Sequence, residues 1–365
     1  MRKRLLGTGA LLAAVLLAVP AAAENVTTVR WGPIVLPAAD ANGPGQVHNE
    51  VAGVSGLSAF LIGLFQSIAD YDVPKPCGDC YITKIEPNLV LADGTTANFN
   101  NGTMLHHVVN LNYSRPDITC RPNLFSSQPI KLLGGAAGGN ERFFAAGNER
   151  TYMEVDDGYG YYVGSGDNWG LVYHLMNMSP QEKVVYFEYT FHWVPASGSG
   201  LDRTRPIWID IDQCEDSEAN AYAGYNDLTW DWKADRSHRM ISIGGHIHDY
   251  GISIAWRNES RGQTSCTSVA GYSAGSPFLP VGPGSGADDA HPVSANVVGS
   301  DPLGLGNYAG HISDMTICDP HSRTSKNETM RVHTQIYRPD DTDHDMGIMV
   351  GYLDEDFCIT NFWCF

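Results

Sequence analysis

The chain has 365 residues, 43% of them hydrophobic and 10% aromatic, which excludes a disordered protein and is long enough for two domains. Its 41 acidic residues outnumber the 23 Lys and Arg, for a net charge of -18. Such a surface repels phosphate backbones and anionic bilayers, so nucleic acid and membrane surfaces are not expected partners.

At the N-terminus, basic Met1-Arg-Lys-Arg4 precedes an apolar run from Leu5 to Val19 and then the small residues Ala21-Ala-Ala23. This order predicts a secretory signal peptide over residues 1–23, cleaved after about Ala23. The run is short for a membrane span and stops at Pro20, and no later segment has the length and apolarity of a span. Cleavage would remove three cations and leave the mature chain near -21. The expectation is a secreted protein, extracellular or periplasmic.

Past the leader, convincing amphipathic helices are scarce. Short runs rich in Val, Ile, Tyr and Trp alternate instead with Gly, Pro, Asn and Asp. Those at 105–113, 160–163, 170–176, 183–194, 207–211, 240–256, 330–337 and 348–353 predict strands of an all-β fold, sandwiches or barrels. In Ile207-Trp-Ile-Asp-Ile-Asp212 the isoleucines share one face, and Trp208, Asp210 and Asp212 share the other. Pro195-Ala-Ser-Gly-Ser-Gly200 is small and flexible, and divides the mature chain into domains at 24–196 and 201–365. Residues 276–307, the stretch richest in Gly and Pro, predict a long surface loop.

Histidine carries the chemical signal. His106-His107 is an adjacent pair inside an apolar strand run, and such neighbours share a face only where a strand ends or kinks. His246-Ile-His248 places two imidazoles two residues apart, on one face of a strand and within reach of one metal. His174 sits in an otherwise apolar strand, and His192 in the next one. Met346 begins a strand on its polar side, whereas Met349 reads as core; a thioether is a soft ligand that selects Cu(I).

Two competing motifs fail on context. Gly271-Tyr-Ser273-Ala-Gly275 matches the nucleophile elbow of serine hydrolases, but Pro277, Pro280 and Pro283 forbid the helix that must follow. The acidic run from Asp340 to Asp345 lacks calcium-loop spacing and reads as a solvated turn. Eight cysteines in an exported chain predict four disulfides, with Cys77-Gly-Asp-Cys80 also spaced like half a zinc site or a redox dithiol.

In order along the chain, an HH pair, a lone His, an HxH strand and a late acidic-Met segment resemble the copper type II, ascorbate-dependent monooxygenases. That group includes peptidylglycine α-hydroxylating monooxygenase and dopamine β-monooxygenase. The resemblance runs from about Cys80 to Tyr352 and implies two jelly-roll-like antiparallel β-sandwiches facing each other across a copper-containing cleft. It implies two copper ions per chain. His106, His107 and His174 would hold the electron-transfer ion, with His192 the rival third ligand. His246, His248 and Met346 would hold the ion where oxygen reacts. Ascorbate would supply electrons, O2 one oxygen atom, and a C–H bond of a small organic substrate would become C–OH. A copper-binding protein that stores, delivers or senses the metal is the alternative.

The chain departs from that pattern at the positions that clamp a peptide carboxylate in the amidating members. They read Gly244, Ile348 and Val350 here, so a neutral or cationic substrate with an apolar reacting carbon is expected. Gly347 stands where a disulfide cysteine is usual. The resemblance further suggests pairing Cys80 with Cys120, and Cys214 with Cys364 or Cys358.

Overall fold

A computed structural model of the protein describes residues 23–39, 49–54, 73–98, 101–120, 139–212, 217–272, 312, 314–338 and 341–354. Residues 1–22 of the predicted leader, the loop at 276–307, Ser273 and Gly275, and Cys214, Cys358 and Cys364 lie outside them.

The described residues form an all-β protein, as the alternating runs predict. The first half contributes β1 (Asn25–Leu36), β2 (Asn49–Val54), β3 (Cys80–Leu91), β4 (Thr103–Pro116), β5 (Asn140–Gly147), β6 (Met153–Glu154), β7 (Tyr159–Val163), β8 (Trp169–Asn177) and β9 (Lys183–Pro195). The second contributes β10 (Asp202–Asp210), β11 (Glu218–Ala221), β12 (Gly224–Lys233), β13 (His238–Ile247), β14 (Gly251–Asn258) and β15 (Gln263–Gly271). It ends with β16 (Asp314–Met315), β17 (Ile317–Cys318), β18 (Arg323–Thr324), β19 (Thr329–Arg338) and β20 (Thr342–Asp354). No helix among the described residues is long and apolar enough to cross a membrane.

One long sheet runs through both halves in the order β1-β9-β3-β7-β10-β20-β13-β17. Its seam is the pairing of β7 with β10, which is parallel. A four-stranded sheet, β2-β8-β4-β5, covers the first half, and a five-stranded sheet, β12-β19-β14-β15-β16, covers the second. Between each cover and the long sheet lies an apolar core. Ile82, Leu105, Phe143, Trp169 and Phe187 fill the first, and Ile207, Ile243, Trp256, Val332 and Met349 the second.

The alternation at 207–211 folds as read. Ile207, Ile209 and Ile211 enter the second core, while Trp208 joins Met346 and Ile348 in a separate cluster packed against Val109 and Ala145. Across β10, β20 and β13 the register sets Asp210 opposite Ile348, and Ile348 opposite His246. Residues directly opposite share a face, so Asp210, Ile348 and His246 look away from the second core, towards β4 and β5. The candidate site residues gather in that space.

Four expectations are corrected. The run at 240–256 is two strands: a turn at 248–250, with Tyr250 at φ 71° and Gly251 N–H donating to His248 O (3.0 Å), separates β13 from β14. Met346 lies inside β20, only 3% exposed, because β20 starts at Thr342. Asp345 is likewise buried, 3.5 Å from Arg338, and the acidic run is not a wholly solvated turn. Cys80 bonds Cys77, not Cys120, and Cys266 bonds Cys318. Cys120 is disulfide-bonded as well. Such crosslinking is the chemistry of an oxidising, extracellular-type compartment.

Candidate metal centre

The histidine pair owes its arrangement to a β-bulge. Between β4 and β8, Leu105 pairs with Leu175 and His107 pairs with His174, so His106 is the extra residue. Two residues then oppose one, and the local kink re-aims their side chains. His106 and His107 end with their Nδ1 atoms 3.1 Å apart, where a regular strand would have sent them to opposite faces. His174, directly across from His107, has its ring centre 4.7 Å from that of His106. His192 lies elsewhere, on β9, among Glu24 and Glu86.

From the long sheet come His246 near the end of β13 and His248 at the turn that follows. The His248 ring centre is 4.6 Å from that of His106 and 5.7 Å from that of His246. His106, His107 and His248 offer ring nitrogens that all lie within 4.8 Å of one another, the one such group among the described residues. The two ligand sets implied by the sequence are therefore contiguous. Met346 lies in an adjoining pocket whose walls also include His107 and His246. Met349, by contrast, is fully buried in the second core, on the other face of β20.

Three participants were not legible as such in the sequence. Glu149, in the turn after β5, accepts hydrogen bonds at Oε1 from His246 Nδ1 (2.9 Å) and from the Gly147 N–H (2.9 Å). A carboxylate that takes one ring N–H leaves the other nitrogen as a lone pair, the usual outer support of a metal-binding histidine. His246 Nε2 is buried and makes no hydrogen bond. Gly147 is the second. A Cβ there would lie 2.5 Å from both His246 Cε1 and a Glu149 oxygen, so only glycine lets the two sheets approach. The third is Met104, two residues before His106, which lines a small pocket with His106, His246 and His248.

The electrostatics favour neutral donors. Burial, reinforced by the neighbouring imidazoles His248, His107 and His174, pushes His106 well below the ordinary histidine range. It stays unprotonated at neutral pH, as a metal ligand must. Burial works against ionisation of Glu149, yet His246 and the Gly147 N–H outweigh it and hold the carboxyl below its ordinary value. The buried neutral imidazole of His106, its neighbouring histidines, a carboxylate-oriented His246 and nearby thioethers suit a borderline-to-soft transition ion such as copper.

Gly244, Ile348 and Val350 contribute to pocket walls beside His246. Gly347 has a steric reason: a Cβ there would sit 2.3 Å from Thr334 Oγ1, so no cysteine fits.

No family model matches the chain. It is 31% identical over 188 residues to the probable copper-dependent oxygenase M1 of Phoma sp. (strain ATCC 20986 / MF5453), covering 49% of this chain and 44% of that protein. It is 29% identical over 195 residues to the probable copper-dependent oxygenase clz3 of Cochliobolus lunatus, covering 51% of this chain and 57% of that protein. The chain thus spans about half the length of the curated relatives it matches. Among solved structures, PNGF-II superposes over 90% of this chain and 65% of its own at 9% identity, with a TM-score of 0.38, too loose to assign a shared fold. The sequence is thus a distant relative of proteins named probable copper-dependent oxygenases.

Proposed function

We propose that the protein is an exported copper-dependent monooxygenase that hydroxylates a C–H bond of a small organic substrate with O2 and ascorbate. The observation that carries this reading is the contiguous group of five imidazoles, His106, His107, His174, His246 and His248, beside the thioether of Met346 and an apolar pocket. Five imidazoles and a thioether exceed what one ion takes, which supports two copper ions per chain. His106, His107 and His174 would hold one, His246, His248 and Met346 the other, with one jelly-roll-like unit (24–196, 201–365) on each side of the cleft. When bound, copper supplies one-electron chemistry and the activation of dioxygen.

The chain's own residues do the rest. Glu149 keeps the Nδ1 proton of His246 and so keeps Nε2 available. Val109, Ala145, Trp208 and Ile348 keep water from the reacting carbon. The relatives' names support an oxygenase over a copper carrier.

Copper stoichiometry measured with oxygen uptake tests the reading. The expected result is two copper per chain and ascorbate-dependent oxygen consumption that rises with substrate. Copper binding without any oxygen consumption would instead make the protein a copper store, carrier or sensor. No copper uptake after reconstitution would reject both.

A further inference from the structure

A second bulge, on β5, puts a cation where the sequence shows none. Asn110 pairs with Phe144 and Leu111 with Arg142, leaving Phe143 as the extra residue. Phe143 and Phe144 both enter the first core, while Arg142 and Ala145 line the pocket that holds His107, His246 and Met346. In a regular strand Arg142 and Ala145, three apart, would face opposite ways.

Arg142 is only 5% exposed and is held from several sides. Its Nε donates to Asp117 Oδ2 (2.8 Å), its Nη1 lies 3.6 Å from Asp210 Oδ2, and its guanidinium rests on the Trp208 ring at 4.6 Å. Asp117 is itself fixed by the N–H groups of Thr119 and Cys120. The remaining nitrogen, Nη2, is buried and has no hydrogen-bond partner. An unused donor on a buried guanidinium costs free energy unless something else occupies it.

We propose that Arg142 Nη2 seats an uncharged oxygen, a carbonyl or hydroxyl, of an otherwise apolar substrate in this pocket. The apolar part is set by the walls, which include Val108, Val109, Leu111, Val172 and Ile348. The uncharged oxygen follows from the charge balance: two carboxylates already face one guanidinium, so an anionic ligand would add a third negative charge at a buried site. Rigid packing against Trp208 pre-orients the donor, which reduces the entropy lost on binding. The inference rests on the oxygenase reading only for what happens to the ligand afterwards; the binding preference stands without it.

The test is calorimetric binding of three probes of similar shape, benzylacetone, n-butylbenzene and phenylbutyrate, to the copper-reconstituted protein and to the protein without copper. Benzylacetone is expected to bind at least about tenfold more tightly than either other probe, a difference of about 1.4 kcal/mol. Arg142→Lys keeps a cation between Asp117 and Asp210 but cannot present the second donor, and is expected to abolish that preference. Equal binding of the ketone and the hydrocarbon, tightest binding of the carboxylate, no binding of any probe, or an unchanged preference in Arg142→Lys would each overturn the proposal. A chain that prefers the ketone through Arg142 but takes up no copper would instead reject the oxygenase reading alone.

Discussion

His106 lies on β4 and His248 in the turn after β13, 142 positions apart in sequence, yet their ring centres are 4.6 Å apart. A change at one is therefore felt at the other. Single substitutions His106→Ala and His248→Ala are expected to lower copper affinity by at least about tenfold each. The double variant should lose less than the sum of the two, because residues in contact do not act additively. Equilibrium dialysis against a copper chelator reads this directly. Strict additivity would mean two energetically independent centres. His192→Ala, beside Glu24 and Glu86, should leave copper binding unchanged.

The thioether assignment can be decided by comparison of two methionines. Met346→Ala is expected to abolish oxygen uptake, beyond the stability lost by truncating a buried side chain, and Met104→Ala to leave most of it. The opposite pattern would move the assignment to Met104, which lines a pocket with His106, His246 and His248. Met349→Ala should act on stability alone, by about 2–5 kcal/mol, because the side chain is fully buried in the second core.

Gly147→Ala should weaken copper binding by about 10–100-fold, through displaced support rather than a lost ligand. The added methyl would collide with His246 and with the carboxylate of Glu149. Glu149→Gln keeps an acceptor for His246 Nδ1 and should cost less. If copper affinity of Gly147→Ala matches the parent, the close approach has no bearing on metal binding.

Glu141 ties stability to pH. Burial pushes its carboxyl up from 4.5 to about 7, against the pull of Arg115 and the Tyr161 hydroxyl. Below pH 4.5 both folded and unfolded chains hold this proton, and the site exerts no penalty. As pH rises towards 7 the unfolded chain releases it first, so stability falls through that window, by about 3 kcal/mol in total. Glu141→Gln should therefore match the parent in acid and exceed it by about that amount above pH 7. Urea unfolding of both proteins across the window checks the sign.

The Cys266–Cys318 bond closes a loop with a sequence separation of 52. In the chain-entropy account such a crosslink contributes about 4 kcal/mol. Cys318→Ala should lower stability by roughly that much while copper content stays at the parent value. A fall in copper binding would show that β17, next to β13, also holds the histidine strand in place.

Alternation with a period of two is a local property, and it made the all-β class, the inward isoleucines of β10 and the donor residues themselves readable from the sequence. The order HH, His, HxH, Met was readable for the same reason. The facing of His106 and His107 was not, nor that of Arg142, because each depends on a bulge, and a bulge is defined only by the register of a partner strand. Gly147 ends β5 and Glu149 sits in the turn after it, with no local pattern to mark them; their role exists only because β13 arrives from the other half of the chain. Disulfide partners were equally hidden: eight cysteines permit many pairings, and which sulfurs meet is decided by the folded path of the chain. The sequence by itself determined the strands and supplied the imidazoles and thioethers, since side-chain chemistry and strand periodicity are carried residue by residue. Tertiary structure alone decided that those groups meet in one place beside a buried arginine, since pairing register and sheet packing join residues that no local pattern connects.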